Sequence, residues 1–184
     1  MNRMKYIGIL VFGLMAFPAY GQKMSLSTNL AGYLNFGTMN MELSCGTGRH
    51  WSVTAGARYN PFSFKWRGRP ARNRQQSYCL GTRFWPWHIY SGWWISGKFR
   101  YQEYSTGGIM SPETEEGDRL GAGLSAGYTY MLHPHINIEF GLGFWAGAGK
   151  YVRYSSPSCG VTLESGIKGF VLPDDIIIGI SYVF

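Results

Sequence analysis

Hydrophobic residues recur at every second position along most of this chain, and the clearest run of them lies between Arg119 and Lys150. Leu120, Ala122, Leu124, Ala126, Tyr128 and Tyr130 alternate with Gly121, Gly123, Ser125, Gly127 and Thr129. After a break at Leu132-His133-Pro134-His135, a second series of Ile136, Ile138, Phe140, Leu142, Phe144 and Ala146 alternates with Asn137, Glu139, Gly141, Gly143 and Gly147. A period of two places successive side chains on opposite faces of a strand. Two such strands, each about ten residues tall, predict a hairpin long enough to cross a bilayer.

The same pattern marks out the rest of the chain. Residues 24–34 predict a first strand, turned by Asn35-Phe36-Gly37, and residues 39–45 a second, closed by the compact Gly46-Thr47-Gly48-Arg49-His50 turn. Trp51, Val53, Ala55, Ala57 and Tyr59 mark a third strand; Tyr78, Leu80, Thr82 and Phe84 a fourth; Trp93, Ile95, Gly97, Phe99 and Tyr101 a fifth. The hairpin supplies two more, and residues 174–184 the last. Between them fall three long connections, at residues 61–76, 105–118 and 151–173, the last with strand extension inside it. Short and long connections alternate, as in outer-membrane barrels with periplasmic turns and longer outer loops. The expectation is an all-β fold: a closed antiparallel up-and-down transmembrane β-barrel of about eight strands.

Composition decides which face meets what. Only 15% of the 184 residues are charged, 17% are aromatic and 26 are Gly, too few charges to clothe a soluble barrel of lipocalin type. One face carries long aliphatic and aromatic series; the other is mostly Gly, Ser, Thr and Asn, which suits a narrow lumen where small residues make room for a few large ones. Residues 1–21 read as a secretory signal, with basic Arg3 and Lys5, an apolar core, and small residues at Ala19 and Gly21, leaving 22–184 as the barrel. The localisation expected is the bacterial outer membrane. Removing Arg3 and Lys5 lowers the formal charge from +7 to +5, and an exported chain of this pattern predicts no nucleic-acid partner.

The inward face carries Glu42, Arg58, Arg83, Lys98, Arg100, Arg119 and Glu139. Charges so close inside a narrow barrel either line an ion path or pair into a plug. Pairing is expected, because an isolated buried charge is costly and the interior of an eight-stranded barrel is just filled by its side chains. The loop at residues 61–76 is basic, and Lys65, Trp66, Arg67, Arg69, Arg72 and Arg74 form its candidate binding surface for lipopolysaccharide phosphates, acidic glycans or an acidic partner. The alternative is that these charges pair with Glu113, Glu115, Glu116 and Asp118.

Catalysis finds little support. All four histidines, His50, His88, His133 and His135, fall in the predicted periplasmic turns, so no His–Ser–acid set facing the outer leaflet can be assembled from them. His133 and His135 are too few ligands for a metal site, and no catalytic residue, metal or cofactor is expected. Cys45, Cys79 and Cys159 allow at most one internal disulfide, of a pairing the sequence leaves open. Ile180, Tyr182 and the terminal Phe184 resemble the C-terminal signal through which barrels engage the barrel assembly machinery.

Four stretches carry a family resemblance: Ser27-Thr28-Asn29-Leu30, Gly48-Arg49-His50-Trp51-Ser52-Val53, Phe84-Trp85-Pro86, and Asn137-Ile138-Glu139-Phe140-Gly141-Leu142-Gly143. Over nearly the whole mature chain the sequence resembles an uncharacterised family of small outer-membrane barrels from Gram-negative anaerobes, catalogued as a domain of unknown function. The resemblance implies an outer-membrane protein with no known catalytic residues, some of whose relatives are encoded near fimbrial or surface genes. No peptidoglycan-binding domain is expected. The function expected is a barrel with a plugged lumen, in contact with membrane lipid and lipopolysaccharide, acting through its outer loops in surface structure, adhesion or assembly alongside surface or fimbrial proteins. A lipid A-modifying enzyme and a narrow solute pore are the alternatives.

Overall fold

The computed structural model describes residues 23–35, 37–66, 69–107, 113–155 and 162–184. The elements are β1 (Met24–Asn29), α1 (Leu30–Leu34), β2 (Met39–Gly46), β3 (Trp51–Asn60), β4 (Ser63–Trp66), β5 (Arg69–Phe84), β6 (Gly92–Gly107), β7 (Glu113–His133), β8 (Ile136–Ser155) and β9 (Thr162–Val183). β3 and β4 keep one register against β5, Asn60 facing Gln75 and Ser63 facing Arg72. They form a single strand line interrupted at Pro61, which has no N–H to give a ladder. Eight strand lines therefore close the barrel in the order β3-β2-β1-β9-β8-β7-β6-β5 and back to β3.

Element boundaries differ from the sequence expectation in two ways. Residues 30–34 keep the strand alternation yet wind into the single turn α1. Asn29 is the cause: its side chain accepts a hydrogen bond from Ala31 N at 3.1 Å, the N-cap arrangement that starts a helix. The long outer connections are also mostly strand, since β5 begins at Arg69, β6 runs to Gly107, β7 begins at Glu113, β8 runs to Ser155 and β9 begins at Thr162. Backbone groups of neighbouring strands go on pairing after their side chains turn polar, because the ladder satisfies N–H and C=O groups whatever the side chain. The proposed signal at residues 1–21 lies outside the described residues.

Burial follows parity, with the polar side inside. In β6, Trp93, Ile95, Phe99 and Tyr101 are exposed while Trp94, Ser96, Lys98 and Arg100 are buried. This inverts the order of a water-soluble protein and suits an apolar surround. Among the described residues no helix is long and apolar enough to cross a membrane. The outward band has aromatic edges. Near the short turns, Trp51 packs on Phe84 at 5.0 Å, Trp93 on Tyr128 at 5.3 Å and Tyr182 on Phe184 at 5.1 Å. Tyr59, Tyr78 and Tyr101 mark the other edge. Beyond them Gln76, Glu103, Asp118 and Lys150 sit side by side in register as an outward polar rim. From Trp93 to Tyr101 the strand rises roughly 26 Å, at about 3.3 Å per residue. Tilted by about 40°, that is roughly 20 Å of height, close to the apolar band of known outer-membrane barrels.

Cys45 lies on the outward face of β2 and Cys79 on the inward face of β5, so the barrel wall stands between them. Cys159 lies outside the described residues.

Candidate functional site

The lumen is built in three storeys. Its floor lies at the end with the short turns, where Pro86 stops β5 and residues 87–91 fold under the barrel. Trp85, Tyr90, Trp94, Ile177 and Val183 form a buried apolar cluster there. Trp85 packs edge-on against Tyr90 at 5.7 Å and donates from Nε1 to Ser52 Oγ at 3.1 Å. Tyr90 adopts φ 64°, a left-handed conformation that costs a bulky residue about 1–3 kcal/mol. It is held there from both ends: its hydroxyl donates to Lys23 O at 2.9 Å, and its carbonyl accepts from Asn137 Nδ2 at 3.0 Å. Trp94 fits because β7 and β8 offer glycine opposite it. A Cβ on Gly141 would lie 3.0 Å from the indole, and one on Gly127 would meet both the indole and Phe140 O.

Above the floor is a layer of four charges. Arg83 donates from Nη1 to Glu139 Oε2 at 2.8 Å and from Nη2 to Glu42 Oε1, while Lys98 Nζ donates to Glu42 Oε2 at 2.6 Å. The Arg83 guanidinium also lies over the Trp94 ring, 4.5 Å from its centroid. Two cations and two carboxylates leave the layer formally neutral, with Arg83 and Glu139 side chains only 5% and 4% exposed. The adjoining void measures about 40 Å³, room for a few water molecules.

Of the other three inward cations, Arg58 borders the same void as the four charges, and all three line the space above. Arg58 and Arg100 line a chamber of about 540 Å³, together with Arg119 and Trp145. The Arg100 guanidinium sits over the Trp145 ring at 5.1 Å, and that of Arg119 over Tyr104 at 3.7 Å.

A second ion cluster crowns the chamber, on strand ends that the sequence assigned to loops. Glu115 accepts from Tyr104 Oη at 2.7 Å, Lys168 Nζ at 2.7 Å and Arg153 Nη2 at 3.3 Å. Arg153 also reaches Glu113 at 3.5 Å and Glu164 at 3.4 Å. Burial pushes the Glu115 carboxyl up, but the Lys168, Tyr104 and Arg153 hydrogen bonds and the Lys168 charge outweigh it and hold the group down at about 2. The signal for this cluster was parity: Glu113, Glu115 and Arg119 share the inward side with Gly121 and Gly123, so the lumen face of β7 extends upward through them.

On the outer face, Arg72 pairs with Glu116 at 3.3 Å, which realises the charge pairing between the basic and acidic segments. Arg74 Nε donates to Pro61 O at 3.3 Å. Both arginines line an open groove of about 510 Å³ at the polar rim, with Tyr59, Gln76, Glu103 and Asp118. The side chains of Lys65, Trp66, Arg67 and Arg69 lie outside the described residues. At the other end, Ile180, Tyr182 and Phe184 point outward. Phe184 N donates to Met24 O at 2.8 Å, and Tyr182 stacks on His135 at 5.8 Å. His50 Nδ1 contacts Trp85 O at 2.9 Å and His135 Nδ1 contacts Val183 O at 2.8 Å, which gives these histidines a part in tying the turns to the floor. Among the described residues no group of three or more His, Cys, Asp or Glu side chains is placed to hold a metal ion.

Residues 7–184 match the family model described as "Protein of unknown function (DUF3575)". The chain belongs to this family. Its fold is similar to that of a solved structure described as a major outer membrane protein from Thermus thermophilus, with a TM-score of 0.51 and 14% identity over 90% of this chain and 100% of that one. At that identity the likeness speaks to fold alone. No curated protein matches the chain significantly. The stretches that carried the family resemblance sit mostly in the lower lumen. Ser52 and Trp85 meet in the floor, Asn137 holds Tyr90, and Glu139 takes one arm of Arg83. Asn29 caps α1.

Proposed function

We propose that this DUF3575 protein is an outer-membrane barrel, exported by the signal at residues 1–21, that works by presenting a rigid outer surface for structure, adhesion or assembly. The observation that carries this reading is the continuation of three strand pairs, β4–β5, β6–β7 and β8–β9, as hydrogen-bonded ladders beyond the apolar band. Such a platform holds polar groups in fixed positions above a membrane, where loops alone would spend binding free energy on ordering.

The floor and the neutral charge layer support a plugged lumen rather than a solute path. All four histidines lie at the floor end, away from where a lipid A-modifying site would need them. Arg72 and Arg74 stand at headgroup height on the open outer groove, so the partner favoured is lipopolysaccharide phosphate, held by charge-assisted bonds. Ile180, Tyr182 and Phe184 are the segment offered to the barrel assembly machinery. Charge reversal at Arg67, Arg69 and Arg72 tests the surface reading: co-sedimentation with lipopolysaccharide should weaken, and unchanged binding would remove it. Co-purification from intact outer membranes would identify surface or fimbrial partners.

A further inference from the structure

Past the point where β1 leaves the sheet, β9 keeps a strand neighbour on one side only. β1 pairs with β9 from Ser25–Val183 to Asn29–Gly179. Just above, α1 packs beside β9, and the Asn29 side chain donates to Ile176 O at 3.1 Å and accepts from Ile178 N at 3.0 Å. β9 runs on upward to Thr162, in register with β8 on its other edge. Among the described residues no backbone hydrogen bond reaches the free edge between Thr162 and Val171.

Strand geometry names the groups left over. In β9 the outward residues turn their N–H and C=O towards this edge, as Phe184 N does in reaching Met24 O and Ile178 N in reaching Asn29. Side-chain face and main-chain direction alternate together along a strand. The edge therefore offers the main-chain groups of Ser165, Ile167, Gly169 and Val171, which stand opposite Val152, Lys150, Ala148 and Ala146 of β8. Register shifts fall at either end, at Arg153/Tyr154 and Leu142/Phe144, so the stretch between them is regular. Ile167 shares the row of Lys150, Asp118 and Glu103, the polar rim; Ser165 lies beyond the apolar band, and Gly169 and Val171 lie just inside it. Inside the band an unsatisfied backbone group has no water to turn to. Natural sheets guard such edges with charge, bulges or cover. Here the outward row is uncharged, with Ile167 and Val171 72% and 74% exposed, and Lys168 is turned inward and paired with Glu115.

We infer that this edge takes up an extended segment of a second protein as an added strand, alongside Ser165 to Val171. Main-chain groups spaced along a regular strand are satisfied together by another extended main chain, which supplies the affinity, while side-chain rows supply the specificity. The partner's outward row lies beside Ile167 and Val171 and is apolar. Its inward row lies beside Glu164 and Lys168 and alternates in charge to match them. The inference rests on reading the strand extensions as an interaction platform, and it adds how a protein partner is held there. It does not involve Arg67, Arg69 or Arg72, so loss of lipopolysaccharide binding and loss of strand addition are separate outcomes.

A fluorescent synthetic peptide alternating Val with Lys and Glu, titrated onto the full folded barrel in non-ionic detergent and read by anisotropy, tests it. The wild type should bind. I167P deletes an edge N–H that β8 does not use and should weaken binding roughly tenfold. I167T keeps that N–H and should bind as the wild type does. Should I167P fail to fold, the peptide N-methylated throughout, which donates no main-chain bond, gives a second readout: the wild type should not bind it. Amide exchange on the wild type locates the contact, with Ser165, Ile167, Gly169 and Val171 becoming protected when the unmodified peptide is added. No binding by the wild type, equal binding of the two peptides or by I167P, or protection confined to other strands would overturn the proposal. So would a wild-type dimer that I167P splits, since the occupant would then be a second copy.

Discussion

The lower and upper halves of the lumen are lined by the same strands with the same alternation, yet one is closed and the other open. Below, eight strand lines are all present, four charges cancel, and Trp85, Tyr90 and Trp94 fill what remains. Above, β1 has left the sheet, and the ion pairs around Glu115 are partly exposed. Closure of a barrel is therefore a local property. Where every edge is paired, the inside must be filled and neutralised; where one strand stops short, the inside becomes a chamber and its charges are eased by water.

The sharpest break in this contrast is Arg83→Ala. It takes the Arg83 partner from Glu139 in the closed half and leaves Glu42 with Lys98, and losing one partner of a buried ion pair costs about 3–5 kcal/mol. Arg119→Ala, in the open half, removes a charge 3.7 Å from a Glu115 that keeps Lys168 and Arg153, and should cost less than Arg83→Ala. Unfolding in detergent micelles, read by heat-modifiable gel migration, compares the two; equal losses would erase the distinction. Next comes Trp94→Ala, expected to cost about 3–5 kcal/mol as a buried aromatic truncation and to admit ion leakage that the wild type lacks. Smaller again is Gly127→Val, which drives side-chain atoms into Trp94 and should cost about 1–3 kcal/mol by overpacking. Gly48→Ala, with nothing within 4 Å of the added Cβ, should leave stability unchanged by the same assay.

A further effect belongs to acid. Glu115 binds its proton only at about 2 when folded, against an ordinary 4.5, so the unfolded chain holds more protons between those values. The stability from this carboxylate is complete above the ordinary value and drains as pH falls towards about 2. A pH series of melting temperatures should show that slope in the wild type and lose it in Glu115→Gln. An identical slope in both would place the acid sensitivity elsewhere.

Much of this architecture could be read from parity alone. The period of two put Trp94, Arg83, Lys98 and Glu139 inside and Trp93, Phe84, Phe99 and Phe140 outside, and the structure agrees. Trp145 obeyed the same rule among Gly143 and Gly147, though it is easily passed over in a run of small residues. What parity could not show was height. Whether Arg83 meets Glu139 or Arg119 does depends on the stagger between strands, which no single strand encodes. The strand ends were hidden for another reason, because Glu113, Glu115 and Glu116 look like loop residues while their backbones still pair. The end of β1 was hidden by Leu30, Gly32 and Leu34, which keep the strand period while the Asn29 side chain starts a helical turn.

The central claim is that aromatic floor and neutral ion layer close the lower lumen to solutes. Planar-bilayer recording of the reconstituted wild-type barrel tests it most directly: membranes holding the folded protein should show no steady conductance, and a stable open level would contradict the account.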